Sequence, residues 1–534
     1  MMGLKMFFQL KTQTSKLITA FASGILMGLT VAPVGAWFLA WIALAPLWVL
    51  VVNYPYKKSF SLPFPLLLSL AWGIGYHGLA LFWITGIHPL TWMGVPWLAS
   101  LAIAIFCLAF ITLWGVALVA TWAMVMRGLK VSKPYIRVLI GTAVWCGLEL
   151  LWSQGPLDWS YIAYTQSPHN LVILHLGQIS GPSAISSAIV AVNGLIAEAW
   201  INRPDAKSAE NFWASLASWR VAYLKAATAL FITCHLIGFG LYSRPLAQPP
   251  EAALKVGIIQ GNIPNQIKLY PEGFRRAIQG YTTGYLTLTN QGVNAVLTPE
   301  GALPFSQYEI MRSSLVTAVK EKGVVAWIGG FDKEGRHYTN SLFTFTGDGK
   351  IFSRYGKVKM VPIGEYIPFE EILGGIVKRL SPLDEHQVPG SPNQVFETPF
   401  GPAIVGICYE STFSEHFRRQ AAAGGQFILS PSNDAHYSAV MPAQHHAQDI
   451  MRAIENDRWA VRATNTGYSA FVNPHGRTLW ISGYNTYEVH AETIYRRQTK
   501  TLYMRWGDWL TPLLLLLGAS AWCRSLFSPM DDKI

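Results

Sequence analysis

The stretch "PAIVGICYESTFSEHFRRQAAAGGQFILSPSND" (402–434) decides the fold class of half the chain. Its opening "PAIVGICYE" is a short apolar, β-branched run that ends in small and polar residues, the pattern of a buried strand. A Ser/Thr-capped helix follows, "STFSEHFRRQAAAGG", and then a second strand, "QFILSPSND". The same alternation runs upstream. "ALKVGIIQGN" (253–262), "NAVLTPEG" (294–301) and "VVAWIGG" (324–330) read as buried strands. "EGFRRAIQGYTTGYLTLTNQ" (272–291) and "QYEIMRSSLVTAVKEKG" (307–323) read as amphipathic helices, and "SLFTFTGDGKIFSRYGKVK" (341–359) as a hairpin about "GDG". Residues 245–506 are therefore expected to form one α/β sandwich with helices outside its sheets.

The flanks have a different composition. The 534 residues are 51% hydrophobic and only 13% charged, with 21 Trp, a balance that marks a polytopic membrane protein. Apolar runs near 16–33, 36–53, 64–85, 92–124, 135–153, 169–200 and 223–243 predict seven spans in residues 1–244. One more near 508–525 lies in the C-terminal segment 507–534. Lys5, Lys11, Lys16, Lys57, Lys58, Arg127, Lys130, Lys133, Arg137, Arg203, Lys207, Arg220 and Lys225 fall on one side of such a bundle, with Arg524 and Lys533. The opposite loops "APVG", "IHPLTW" and "SQGPLDWSYIAYTQSPHN" hold no Lys or Arg. The positive-inside rule makes the first side cytoplasmic and sends 245–506 outside. The net charge of +11 is thus explained by orientation in a membrane, and a nucleic-acid partner is discarded. His77 and Glu149 fall in or beside spans and read as bundle-facing groups.

Within the outer block, Glu300 follows "NAVLTP", Lys357 ends "IFSRYGK" and Cys408 follows "AIVGI", so each sits where a strand ends, the usual place for a site. A thiol, a carboxylate and an ammonium together suit acyl transfer: nucleophile, base and oxyanion partner. The other cysteines, Cys107, Cys146, Cys234 and Cys523, lie in or beside spans and leave Cys408 no evident disulfide partner. His436, His445 and His446 lack a metal-ligand spacing, and no metal or cofactor is expected.

"LTPEGALPF" (297–305), "RYGKVKMVPIGEYIPFE" (354–370) and "GICYESTF" (406–413), in that order, resemble the Glu, Lys and Cys motifs of the nitrilase superfamily, an αββα sandwich. With "QGNIPNQIK" (260–268), "NSLF" (340–343), "SNDA" (432–435) and "RATNTGYSAFVNPHG" (462–476), the chain is similar to the superfamily's membrane branch, the apolipoprotein N-acyltransferases. The resemblance implies a bacterial inner-membrane enzyme, expected as a monomer, with its catalytic domain on the periplasmic face. It would move an acyl chain from a phospholipid, typically phosphatidylethanolamine, through a Cys408 thioester to the α-amino group of a diacylglyceryl-cysteine apolipoprotein. Glu300 would be the base and Lys357 the oxyanion partner. Glu365, Tyr409 and Glu410 match supporting positions. Leu269, Thr298, Lys359 and His436 stand where the family usually has other residues, which bears on substrate preference. The runner-up is a membrane-tethered amidase that passes the acyl group to water.

Overall fold

The computed structural model describes residues 12–54, 64–129, 131, 133–155, 157–202, 219–334, 337–362, 364–366 and 387–527. Lys5, Lys11, Lys57, Lys58, Lys130, Arg203, Lys207 and Lys533 of the charge pattern lie outside the described residues. Two compact units emerge: Met1–Phe82 with Phe106–Tyr242 and Asp508–Ile534, and Trp83–Ile105 with Ser243–Gly507.

The first unit is helical. Five described helices are long and apolar enough to cross a bilayer: Trp97–Gly128, Pro134–Trp152, Pro182–Ile201, Arg220–Tyr242 and Leu510–Phe527. The run near 92–124 opens on a 3₁₀ turn at Thr91–Met93 and then forms one continuous helix of 32 residues, Trp97–Gly128. Elsewhere the apolar runs are broken. Residues 64–87 pass from an α-helix through a π turn at Ile74–Gly78 to a 3₁₀ segment, and the run near 169–200 holds two short helical turns before a fresh helix starts at Pro182, capped by Gly181. Small residues let the helices close up. A Cβ on Gly141 or Gly194 would come within 3 Å of the Trp48 ring, which is fully buried between them. Large apolar side chains point outward along the 32-residue helix, with Phe106 and Phe110 at least half exposed, as a lipid-facing surface requires. Arg137 donates through Nε to the buried Glu198 at 2.7 Å, and Glu149 accepts from Trp145 Nε1 and the Ile162 amide, so both polar pairs face the bundle.

The second unit is the sandwich. Its first sheet runs β11-β1-β2-β3-β4-β5, with β1 Ala253–Gln260, β2 Ala295–Leu297, β3 Val325–Glu334, β4 His337–Phe345, β5 Ile351–Gly356 and β11 Glu488–Tyr495. The second runs β10-β9-β8-β7-β6, with β6 Ile404–Val405, β7 Ile428–Ser432, β8 Ala460–Thr464, β9 Ala470–Val472 and β10 Thr478–Ile481. β1, β2 and β3 are parallel, as are β6, β7 and β8. The period-2 alternation of each strand splits its residues between two cores. Val256, Ile258, Leu297 and Trp327 meet Val405, Leu429, Val461 and Phe471 between the sheets. Ile259, Val296, Ile328 and Phe343 point the other way, onto the helices Pro271–Thr289 and Ser314–Lys322. Helices Ser414–Ala422 and Val440–Asn456 cover the second sheet, which completes four layers, α, β, β, α.

Two readings are corrected. "QYEIMRSSLVTAVKEKG" is two helices, Gln307–Ile310 and Ser314–Lys322, because Ser313 turns its side chain onto the Val316 amide and starts a new cap. The hairpin strand begins earlier, at His337, and pairs with β3 as well as β5.

Candidate active site

Each catalytic candidate is carried on the end of a different strand. Glu300 follows β2, Lys357 follows β5 and Cys408 follows β6. The strands belong to two sheets, so the sandwich itself brings the groups together. Lys357 is 1% exposed and its Nζ donates to Glu300 Oε1 at 2.9 Å and to Glu365 Oε1 at 2.7 Å. Asn340 of β4 donates to the same Glu300 oxygen at 2.7 Å. Glu365 is oriented in turn by the Val361 amide at 2.8 Å.

Two buried carboxylates share one ammonium, and they respond in opposite directions. Burial pushes Glu300 up, but the Lys357 charge and hydrogen bond, Lys268 and Asn340 outweigh it and hold Glu300 below the ordinary carboxylate range. Glu365 is held above it, by burial first and by the neighbouring Glu300 charge. Lys357, between them, is pushed well up despite its burial. Burial and the Glu300 charge drive the Cys408 thiol well above its ordinary value against the pull of Lys357. The resting pair is therefore a protonated thiol facing an ionised carboxylate, the protonation states in which a carboxylate can accept a thiol proton.

Cys408 has φ +52°, a left-handed conformation that costs a β-carbon residue energy and turns its side chain out of the strand direction. Two devices hold it. Glu410, fully buried, accepts from the Ile407 amide at 2.7 Å and Tyr355 Oη at 3.1 Å through one oxygen, and from the Val358 and Lys359 amides at 2.6 and 3.0 Å through the other. It ties the residue before Cys408 to the residues after Lys357. Behind Cys408, His445 Nε2 donates to the Cys408 carbonyl at 2.7 Å while Nδ1 accepts from Arg462 Nη2 at 2.8 Å. Arg462 also donates to Asp434 at 2.9 Å and Asp449 at 2.6 Å.

Cys408, Asp434 and His445 bring one candidate ligand atom each within 4.8 Å of one another. That set does not suit a metal: both His445 nitrogens are engaged and Arg462 already neutralises Asp434. His446 points the other way, to Thr478 Oγ1 at 2.9 Å. Tyr409 lies edge-on to Phe413, 5.2 Å between centroids, and the Lys359 ammonium covers the same ring. Thr298 accepts the Gly329 amide and so pins the Glu300 loop to β3, Leu269 closes the Asn265–Lys268 turn, and His436 stacks on Trp92. Sequence reasoning gave no role to Asn340, Lys268 or His445, although "NSLF", "QGNIPNQIK" and the helix "AQHHAQDIMRAIEN" already held them.

Residues 255–501 match the carbon-nitrogen hydrolase family, and residues 23–195 match the apolipoprotein N-acyltransferase N-terminal domain. The chain is 67% identical to the apolipoprotein N-acyltransferase of Nostoc sp. over 94% of its length and 98% of that protein. The chain belongs to the apolipoprotein N-acyltransferase family. The family member of Synechocystis sp. is 49% identical over 95% of this chain and its own full length. Among solved structures, an amidase of Nesterenkonia from the nitrilase superfamily covers 50% of the chain and 98% of its own at 19% identity and a TM-score of 0.37. The family pairing of a carbon-nitrogen hydrolase domain with apolar helices makes this a membrane-associated acyltransferase with a nitrilase-like α/β half.

Proposed function

We propose that this acyltransferase matures lipoproteins by moving an acyl chain from a membrane phospholipid, with phosphatidylethanolamine as donor, to the amino group of a diacylglyceryl-cysteine apolipoprotein. The observation that carries the mechanism is the buried Glu300 carboxylate 2.9 Å from Lys357 Nζ, with the buried Cys408 near enough to both for their charges to act on its thiol. In the first step Glu300 takes the thiol proton as Sγ bonds to the donor's ester carbonyl. The oxyanion so formed is neutralised by Lys357. Collapse breaks the ester C–O bond, Glu300 returns its proton to the departing alkoxide, and a lysophospholipid leaves a Cys408 thioester. In the second step the acceptor amine loses a proton to Glu300 as nitrogen attacks the thioester. Collapse then breaks the C–S bond, Glu300 returns its proton to the departing thiolate, and an amide is left. Both substrates are lipid-anchored, so one membrane-facing site can serve them in turn.

Residues 245–506 would be the catalytic domain, held on the periplasmic face of the bacterial inner membrane by spans in 1–244 and 507–534, with the protein working as a monomer. The basic loops on one side of the expected bundle support that orientation.

The product distinguishes transfer from hydrolysis. With phosphatidylethanolamine vesicles and a diacylglyceryl-cysteine peptide, the acyl chain is expected on the peptide as an amide, one lysophospholipid appearing per amide formed. Release of free fatty acid at a rate indifferent to the peptide would make the protein a tethered hydrolase.

A further inference from the structure

We propose that Lys268 is a positioning residue for the base: a second buried ammonium that fixes the Glu300 main chain and sets a positive charge beside the residue that faces the thiol. This rests on Glu300 acting as the base, as proposed above.

Lys268 closes the short turn Asn265–Lys268 that follows β1, and it is buried. Its Nζ donates to the Glu300 carbonyl at 3.1 Å, the one hydrogen bond the ammonium makes among the described residues. A lysine with so little compensation would be better replaced by methionine if its task were packing alone. Burial lowers it to about 8 against the pull of the Glu300 charge, so it remains a cation at neutral pH. The same charge is among those that depress Glu300.

The turn that delivers Lys268 is built for that placement. Asn465 after β8 accepts the Ile263 amide at 2.9 Å, donates to the Ile263 carbonyl at 2.7 Å, and donates to Asn433 Oδ1 at 3.0 Å. Asn433 after β7 donates to Asn265 Oδ1 at 3.3 Å. The three asparagines thus join the loops after β1, β7 and β8, and the Asn433 amide also faces the Cys408 sulfur. Gly273 allows close approach from the following helix, since a Cβ there would come within 2.0 Å of the Ile267 carbonyl. The ladder gives a shared purpose to "QGNIPNQIK", "SNDA" and "RATNTG", which the catalytic triad leaves unexplained.

The groups that face Glu300 are Lys357 after β5, Glu365 across Lys357, Cys408 after β6, His436 after β7 and Lys268. Burial, with help from Lys268, lowers His436 to about 4, so it is neutral at working pH and adds no competing charge. Removing the Lys268 charge makes the Glu300 carboxylate less favourable and raises its pKa. The acid limb of thiol reactivity, below which Glu300 is protonated and cannot accept the thiol proton, then moves to higher pH.

The test is alkylation of Cys408 by chloroacetamide in the full-length protein in detergent, read by peptide mass from about pH 3, below the ordinary carboxylate range, to about pH 9. It needs no lipid substrate, so it stands whatever the acyl donor is. Lys268→Met is expected to shift the acid limb up by about one pH unit, Lys268→Arg by less than about half of that, and Glu300→Gln to abolish the limb. A limb unmoved in Lys268→Met while Glu300→Gln abolishes it overturns the role of Lys268 and leaves the base assignment standing. Equal loss of rate in Lys268→Met and Lys268→Arg with no movement of the limb makes the residue merely structural and overturns it too. A limb unchanged in Glu300→Gln overturns the role together with the base assignment beneath it.

Discussion

Lys357→Met is expected to lower the rate of acyl-enzyme formation by about 10³-fold, the scale for removing the main electrostatic partner of a tetrahedral oxyanion. The substitution keeps the length and apolar stem of the side chain and deletes only the charge. It also leaves Glu300 and Glu365 buried, close together and without the cation that both now contact at 2.9 and 2.7 Å. Both carboxylates then rise, so the proposed base is lost along with the proposed oxyanion partner. Breaking a buried pair this way costs about 3–5 kcal/mol of stability. The sign of its pH dependence follows from proton counting. Carboxylates raised in the folded state bind protons that the unfolded chain, near 4.5, has already released. Stability of the variant therefore falls as pH rises from that value, and its thermal midpoint should lie closer to wild type at pH 5 than at pH 8. A variant equally destabilised at both pH values, or one with near-normal acylation, would show that Lys357 is not the shared partner.

Glu410→Ala is expected to remove activity almost as completely, although Glu410 touches no reacting atom. Its two oxygens accept three main-chain amides and the Tyr355 hydroxyl in a fully buried position. Each orphaned buried donor costs about 1–3 kcal/mol, so the segment after Lys357 and the strand end before Cys408 should separate rather than remain unpaired. Glu410→Gln is the sharper variant. It keeps volume and one acceptor oxygen but turns an NH₂ toward donors, so acyl-enzyme formation should fall by about 10²-fold with less unfolding. Acylation and melting should fail together in Glu410→Ala, and acylation should fail further than melting in Glu410→Gln. Wild-type rates in Glu410→Gln would show that the clamp does not position the nucleophile.

The sequence carried the strand ends because buried strands in a doubly covered sheet are short, apolar and sharply bounded, as "NAVLTPEG" and "PAIVGICYE" are. β11 was not legible. Its residues Glu488–Tyr495 are mostly half-buried with charges at 488 and 492, so no run of apolar residues marks it, yet it pairs antiparallel along the whole of β1. The convergence of Glu300, Lys357 and Cys408 was not legible from spacing either. It depends on two sheets meeting face to face, and no local pattern records which strand ends then coincide. Glu365 and Glu410 came from motif resemblance alone; their different contacts, one sharing the Lys357 ammonium and the other clamping the backbone on either side of the site, follow only from the hydrogen bonds. In the helical half, hydropathy counts apolar residues and is blind to helix breaks. The π turn at Ile74–Gly78, in a segment with Gly73, Gly75 and Gly78, is therefore invisible to a span count.

The central claim is that Cys408 carries the acyl chain, and intact mass of the full-length protein after incubation with phosphatidylethanolamine vesicles tests it most directly. The wild type is expected to gain one acyl-sized, hydroxylamine-labile increment that Cys408→Ala lacks and that disappears on addition of a diacylglyceryl-cysteine peptide. An increment that persists in Cys408→Ala, or a wild-type protein that turns over while never carrying one, would contradict the account.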